Sequence, residues 1–188
     1  MPKNGERRIR IYQDEDPTSP LNDDNLGTMA TWHRRYALGH EQPKETPEEW
    51  LAEHSEEEYL ILPLYLYDHS GITISCSPFS CPWDSGRLGN IYVSHQKIKA
   101  EYGALTEGTL ERARDVLLSE VATYDQYLKG DIWAYVIEEY VSCSECGRGE
   151  WETLDSCGGF YGHHPEENDM KDNWAPEYKD LPIEHTAY

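Results

Sequence analysis

The residues whose type and spacing best suit chemistry are two cysteines, Cys143 and Cys146, followed by Gly147. Two thiolates separated by two residues at the tip of a hairpin can bind one Zn²⁺, and the glycine permits the tight turn between them. Because a structural zinc site needs four ligands, the sequence predicts that Cys76 and Cys81 complete it. The alternative interpretation is that these thiols are reduced and free, or that Cys143 and Cys146 form a redox-labile pair.

Side chains of a catalytic type also occur in the 78–90 loop and in the predicted turn that contains His69. A catalytic triad needs residues from different segments that converge in space, so the neighbours of His69 within its own predicted turn cannot supply one. The sequence leaves open an enzyme acting on a small molecule or nucleotide, with Asp84, Ser85 and His69 around a pocket beside this loop. Convergence of His69, Asp84 and a further titratable group in a cleft would favour that alternative. Otherwise the loop is expected to pack Trp83 on the core.

The charge of the chain limits its class of partner. Of 188 residues, 36 are acidic and 16 are basic, so the formal net charge is −20. Proteins that bind nucleic acid directly have basic surfaces, so this balance excludes an ordinary nucleic-acid-binding protein. Two interpretations stay open: a surface that only keeps the protein soluble, and a surface that imitates a polyanion.

The hydropathy of the chain bears on its compartment. The longest apolar run, residues 60–67, is interrupted by Pro63 and is too short for a transmembrane helix. The first residues lack the apolar segment of a secretory signal. We therefore expect a cytosolic protein, with no membrane partner and with its thiols reduced.

The aromatic residues and the acidic excess together indicate a binding surface. The chain has 14 tyrosines and 6 tryptophans but only 2 phenylalanines, and amphipathic rings of this kind are enriched at protein interfaces. In strand 131–141 and the hairpin that follows it, such rings lie beside carboxylates. The candidate binding residues there are Glu138, Glu139, Glu145, Glu150, Glu152 and Asp155.

The elements that must position these residues follow from periodicity. Apolar residues recur every three or four positions from Leu110 to Leu128, which predicts an amphipathic helix at about 107–129, ended by Gly130. A capping box from Thr46 to Glu49 begins a shorter helix that runs to about residue 58. A third helix is expected after Ser94. The predicted strands are 8–12, 59–67, 71–77, 91–93, 131–141 and 150–156.

Most of these strands are joined by hairpins, which predicts a single α+β domain with a mainly antiparallel sheet. Gly71 is expected to supply the positive φ of the 59–77 hairpin turn. The predicted organisation is an N-terminal strand and acidic loop over 1–27, an α+β core over 28–162 and an acidic, partly ordered tail over 163–188.

Several distinctive strings resemble a family of small acidic proteins encoded by phages and other mobile elements. The resemblance covers most of residues 25–162. Its strings are TMATWHRRY (28–36), LPLYLYDHSGIT (62–73), CPWDSG (81–86), TYDQYLKGD (123–131) and DSCGGFYG (155–162). It supplies no functional residues and implies only a context, in which small acidic proteins disarm host defence.

These observations together favour a non-enzymatic binding protein. Its acidic surface is expected to occupy the nucleic-acid groove of a basic host defence protein, in the manner of an anti-CRISPR or anti-restriction inhibitor, without binding nucleic acid itself. Carboxylates would pair with Arg and Lys of the partner, and aromatic side chains would provide specificity.

Overall fold

The computed structural model describes residues 2–186, which divide into two compact units. The first unit joins the chain up to Thr18 to the chain from Gly130 onward, and the second is the continuous stretch Ser19–Lys129. These boundaries differ from the predicted division at residues 27 and 162. The reason is that the first strand of the chain pairs with a strand that begins at Ile132.

The α+β class is confirmed, as are the mainly antiparallel pairing, the long helix and two shorter helices. The elements in chain order are β1 (Arg7–Gln13), β2 (Thr28–Thr31), α1 (Pro47–Glu53), β3 (Tyr59–Asp68), β4 (Ile72–Ser75), β5 (Ser85–Ser94), α2 (His95–Tyr102), α3 (Glu107–Leu128), β6 (Ile132–Ser142), β7 (Gly149–Tyr161) and β8 (Ile183–His185). Short 3-10 helices occupy Pro20–Asn22, Met170–Asn173 and Pro176–Tyr178.

The first unit contains a four-stranded sheet in the order β7-β6-β1-β8. β6 pairs antiparallel with both β7 and β1, and β8 pairs parallel with β1. One face of this sheet buries Ile9 and Ile11 of β1 with Tyr135 and Ile137 of β6. Because side chains alternate between the two faces along a strand, the residues that separate these buried ones lie on the opposite face of the sheet.

The C-terminal segment is part of this first unit and does not behave as the predicted tail. Met170 and Trp174 are 0% and 2% exposed, and both pack on the buried face of the sheet. The Trp174 ring meets the Tyr135 ring edge to face, with centroids 6.0 Å apart. Burial of these two residues, together with the pairing of β8 with β1, anchors the segment on the sheet.

The second unit contains an antiparallel sheet in the order β2-β5-β3-β4, covered by α3. The buried residues of α3 are Ala113, Leu117, Val121 and Tyr124, at the spacing that places side chains on one helix face. β5 begins at Ser85 and pairs along β3, so the predicted 78–90 loop is shorter than expected. The described residues include no helix long and apolar enough to cross a membrane.

Two local predictions within the second unit are corrected. The capping box of α1 forms as predicted and Trp50 is buried, but the helix ends at Glu53 and not at about residue 58. In the β3–β4 turn the positive φ, +60°, belongs to Ser70 and not to Gly71. A serine can adopt this left-handed conformation in a tight turn, at some cost in conformational energy.

Candidate functional site

Glu138 is the most enclosed of the six predicted binding carboxylates. Its side chain is 8% exposed and accepts hydrogen bonds from Arg8 Nε at 3.0 Å and from Arg10 Nε at 3.1 Å. Arg10 Nη2 also donates to the second carboxylate oxygen at 3.2 Å. Glu138 therefore stabilises the pairing of β6 with β1, and its charge is neutralised within the fold.

Glu139 is likewise paired inside the first unit, on the same two strands. It lies opposite Arg7 in the β1–β6 ladder, and the Arg7 Nε donates to its carboxylate at 2.6 Å. The carboxylate of Glu139 raises the pKa of the Arg7 guanidinium by this hydrogen bond and by its charge. Across the β6–β7 ladder Glu139 also faces Glu152, so two carboxylates and one guanidinium form a row across three strands.

The outer part of the β6–β7 hairpin, residues 141–155, is here called the acidic hairpin. Glu145, Glu150 and Glu152 are exposed on it, and none has an ion-pair partner among residues 2–186. Asp155 is half-buried and accepts a hydrogen bond from the Tyr135 hydroxyl at 3.4 Å. Three of the six predicted carboxylates are thus free to meet a partner, and a fourth is partly used.

Apolar and aromatic groups accompany these carboxylates. Val141 and Leu154 are 37% and 42% exposed on the acidic hairpin. The Arg8 guanidinium lies 3.9 Å from the centroid of the Trp151 ring, and the Tyr140 ring meets the same indole edge to face. β7 is the outer strand of the sheet. The acidic hairpin therefore offers a partner the backbone groups of one sheet edge as well as its side chains.

The turn of the acidic hairpin holds the Cys143–Cys146 pair. The Cys143 N–H donates to the Arg148 carbonyl at 2.7 Å, and the Gly147 N–H donates to the Cys143 carbonyl at 2.9 Å. Gly147 has a φ of +70°, the left-handed conformation that this turn requires. Backbone N–H groups of Cys146 and Glu145, and then the Cys146 thiol, donate to the Cys143 sulfur and lower the pKa of Cys143.

The other two predicted zinc ligands belong to the second unit. The Cys76 thiol is half-buried, and burial raises its pKa to about 11. The Cys81 thiol is hydrogen-bonded to the Asp84 carboxylate at 3.6 Å. Within residues 2–186, no three His, Cys, Asp or Glu side chains are arranged to hold a metal ion. Zinc binding by all four cysteines stays a prediction, which elemental analysis of the purified protein would test.

The three residues of the predicted enzyme site are only partly brought together. His69 Nδ1 lies 3.3 Å from Asp84 Oδ2, and the Cys81 thiol donates to the same oxygen at 3.6 Å. Ser85 donates to the Cys81 carbonyl and so is held within its own loop. His69 and Asp84 are 63% and 39% exposed, so water reaches both side chains.

The order of groups in this cluster does not suit nucleophilic catalysis. In a triad the imidazole lies between nucleophile and carboxylate, so that it can accept the proton of the nucleophile. Here the contacts of both the Cys81 thiol and the His69 imidazole are to one oxygen of Asp84, and the hydrogen bond of the thiol is to the carboxylate and not to the imidazole.

Trp83, in the same loop, is 91% exposed, which corrects the expectation that it packs on the core. Composition could not show this, because a tryptophan is more often buried.

Comparisons with family models, with curated proteins and with solved structures find no match for this chain.

Proposed function

We propose that this chain is a non-enzymatic binding protein that inhibits a basic nucleic-acid-binding protein of host defence by occupying its nucleic-acid groove. The observation that supports this proposal is the set of exposed carboxylates on the acidic hairpin, Glu145, Glu150 and Glu152, which have no ion-pair partner among the described residues. Unpaired like charges repel one another and reduce stability, so we infer that they are retained for binding.

The distribution of charge supports the same surface. The first unit has 18 acidic and 7 basic residues, a net charge of −11 within the shorter part of the chain. Three of its arginines, Arg7, Arg8 and Arg10, are already paired with glutamates of β6 or β8. The excess of negative charge is therefore not compensated near the acidic hairpin, where Arg148 is the one basic residue of 141–155.

The proposed roles divide between charge and apolar contact. Glu145, Glu150 and Glu152 would pair with Arg and Lys side chains that otherwise bind phosphates. Val141 and Leu154, both exposed, would provide the apolar contacts that discriminate one basic partner from another. Glu138 and Glu139 would act indirectly, by holding the hairpin on β1.

The class of partner follows from charge and from the resemblance to proteins of phages and mobile elements. A polyanionic surface competes with nucleic acid for a basic groove, and such grooves belong to nucleases and other defence proteins of the host cytosol. The protein would act there without a membrane and without binding nucleic acid itself.

Affinity capture from bacterial host lysate with the immobilised chain tests the proposal. We expect nucleic-acid-binding proteins to be retained at about 50 mM salt, to be released by about 500 mM salt and to be displaced by added duplex DNA. The triple variant Glu145→Gln/Glu150→Gln/Glu152→Gln should lose this capture.

A matched control separates the acidic hairpin from net charge alone. Glu53, Glu57 and Glu58 are exposed on the second unit, and changing these three to Gln removes the same charge. This control variant should retain the same nucleic-acid-binding proteins as the unmodified chain does. Equal capture by both triple variants, or capture that duplex DNA does not displace, would contradict the proposal and favour a surface that only maintains solubility.

An enzyme remains the second candidate, because His69, Asp84 and Cys81 converge within hydrogen-bond distance. Its test is a screen of hydrolysis on phosphate-ester and carboxylic-ester substrates. Activity that Asp84→Asn and His69→Gln both abolish would support an enzyme, whereas activity unchanged by both variants would remove this candidate.

A further inference from the structure

The sheet of the second unit carries a cavity on the face that α3 does not cover. Leu62 and Leu64 of β3 pack in the core beside α3, so Ile61 and Pro63, which alternate with them, lie on the opposite face. The cavity there has a volume of about 370 Å³, which is within the range of small-molecule sites. Its apolar wall consists of Ile61, Pro63 and Leu51.

Asn90 lines this cavity from β5, although it is only 2% exposed. It pairs with Ala30 of β2 on one side and with Pro63 of β3 on the other, so it lies in the middle of the sheet. Asparagine is depleted in strands, and burial of an amide costs free energy unless the amide is hydrogen-bonded. Its Oδ1 accepts from Arg87 Nη2 at 2.5 Å, so the group of Asn90 that remains for a ligand is the Nδ2 donor.

Arg87 is held beside Asn90 by two hydrogen bonds. Besides the bond from Nη2 to Asn90, its Nε donates to the Gly89 carbonyl at 2.9 Å. These bonds use Nε and Nη2 and leave Nη1 for a ligand. Arg87 also forms no ion pair within residues 2–186. A guanidinium fixed in one orientation suits a carboxylate, which it binds through parallel N–H···O bonds.

The cavity also contains the opposite charge. Glu56 lines it, is exposed, and has no ion-pair partner in the part of the chain that the structure describes. Glu56 and Arg87 therefore share one cavity without pairing with each other, and each can pair with a ligand.

His54 adds a fixed aromatic wall from the end of α1. Its Nδ1 lies 2.9 Å from the Trp50 carbonyl, and its ring stacks on the buried Trp50 indole with centroids 3.8 Å apart. A carbonyl can only accept, so Nδ1 carries the proton in this bond. Polar groups held in place before a ligand arrives reduce the entropy cost of binding it.

We propose that this cavity binds a free α-amino acid with an apolar side chain. The α-carboxylate pairs with Arg87 and accepts from Asn90 Nδ2, the α-ammonium pairs with Glu56, and the side chain contacts the apolar wall. A ligand with a single charge leaves either Arg87 or Glu56 unpaired in the cavity, whereas a zwitterion matches both. The site lies within the second unit and does not depend on the function proposed above.

Saturation-transfer NMR on the full chain tests this proposal, with L-leucine and L-phenylalanine as probes. N-acetyl-L-leucine lacks the ammonium group, and L-leucinamide lacks the carboxylate. Each of these analogues should bind at least about tenfold more weakly than L-leucine, because one charge-assisted contact is lost. Failure of both amino acids to bind saturably up to about 10 mM would overturn the proposal.

Two variants assign each charge of the ligand to its residue. Glu56→Gln should weaken the binding of L-leucine at least about tenfold and leave that of N-acetyl-L-leucine unchanged. Arg87→Met should weaken the binding of L-leucine by a similar factor and leave that of L-leucinamide unchanged. Because Glu56 is exposed, Glu56→Gln decides the result even where circular dichroism shows that Arg87→Met disturbs the fold.

Glu57→Gln and Arg34→Met are the matched controls, because both side chains are exposed on the second unit and neither lines the cavity. Both variants should bind L-leucine as the unmodified chain does. Weakening of L-leucine binding by these controls as large as by Glu56→Gln would overturn the proposal. So would a Glu56→Gln variant that weakens L-leucine and N-acetyl-L-leucine equally, since Glu56 would then not contact the ammonium group.

Discussion

Arg8 and Glu138 face each other directly across the β1–β6 ladder, and the Arg8 Nε donates to the Glu138 carboxylate at 3.0 Å. Because the carboxylate is nearly buried, Glu138→Gln removes the charge that Arg8 and Arg10 share and replaces one acceptor oxygen with an NH2 donor. We expect Glu138→Gln to reduce the free energy of unfolding by about 1.5–3 kcal/mol, the range for hydrogen bonds to charged groups.

Urea unfolding followed by tryptophan fluorescence measures this change. Glu139→Gln is the matched control on the neighbouring position, where Arg7 is 43% exposed, and it should cost at most about 1 kcal/mol. Equal effects of the two variants would show that burial of Glu138 has no energetic consequence.

A close approach of two backbones in the second unit gives a sharper prediction. A Cβ atom at Gly89 of β5 would lie 2.0 Å from the carbonyl oxygen of Ala30 in β2. We expect Gly89→Ala to destabilise the protein by at least about 3 kcal/mol, because a strand would have to move. Gly86, also in β5, has open space around its Cα, and Gly86→Ala should change stability by less than about 0.5 kcal/mol in the same urea titration.

His40 should make stability depend on pH. Its Nδ1 accepts the Met29 N–H at 2.9 Å, and burial lowers the pKa of His40 below its ordinary value of 6.5. The folded state thus favours the neutral imidazole, while the unfolded state takes up a proton first. The stabilisation is complete above pH 6.5 and is lost as the pH falls from there through the lowered pKa of the folded state.

His40→Asn keeps an acceptor near the position of Nδ1 and removes the titration. Unfolding free energies measured between pH 7.5 and pH 5 should therefore fall less steeply for this variant than for the unmodified chain. His33→Asn, which removes an imidazole elsewhere in the same unit, should retain the full slope. An identical slope for His40→Asn and the unmodified chain would contradict this assignment.

Trp174 anchors the C-terminal segment on the first sheet. It is 2% exposed, and its indole N–H has no hydrogen-bond partner among the described residues. Trp174→Ala should cost about 3–5 kcal/mol through lost packing. Trp174→Phe should cost much less, because it also removes an unpaired buried donor. Limited proteolysis should cleave the segment that follows residue 163 faster in Trp174→Ala than in the unmodified chain. Trp83→Ala is the control at an exposed tryptophan, and it should change neither the stability nor the rate of cleavage.

Local elements were predictable because their signals are local. The capping box at Thr46, the Ser94 cap of α2 and the apolar stripe of α3 all formed as the sequence indicates. The separation into two sheets was not predictable, because it depends on pairing between β1 and β6, which are remote in sequence. Pairing over such distances leaves no periodic signal in either strand.

The candidate surface was predictable in composition but not in detail. When only charge is considered, the carboxylates of Glu138 and Glu139 are as available to bind a partner as those of Glu150 and Glu152. Their difference arises because Arg7, Arg8 and Arg10 lie across the ladder, which a single sequence does not reveal. The burial of Trp174 is unpredictable for the same reason, since its contact is with Tyr135 of a distant strand.

The pairing of β1 with β6 also has a consequence during synthesis on the ribosome. Arg8 and Glu138 are 130 positions apart, so β1 leaves the ribosome long before its partner strand exists. The second unit is continuous in sequence and can fold during that interval. The arginines of β1 alternate with Ile9 and Ile11, and charges in this arrangement hinder aggregation of an unpaired strand. The side chains that later hold Glu138 thereby protect the nascent chain until β6 emerges.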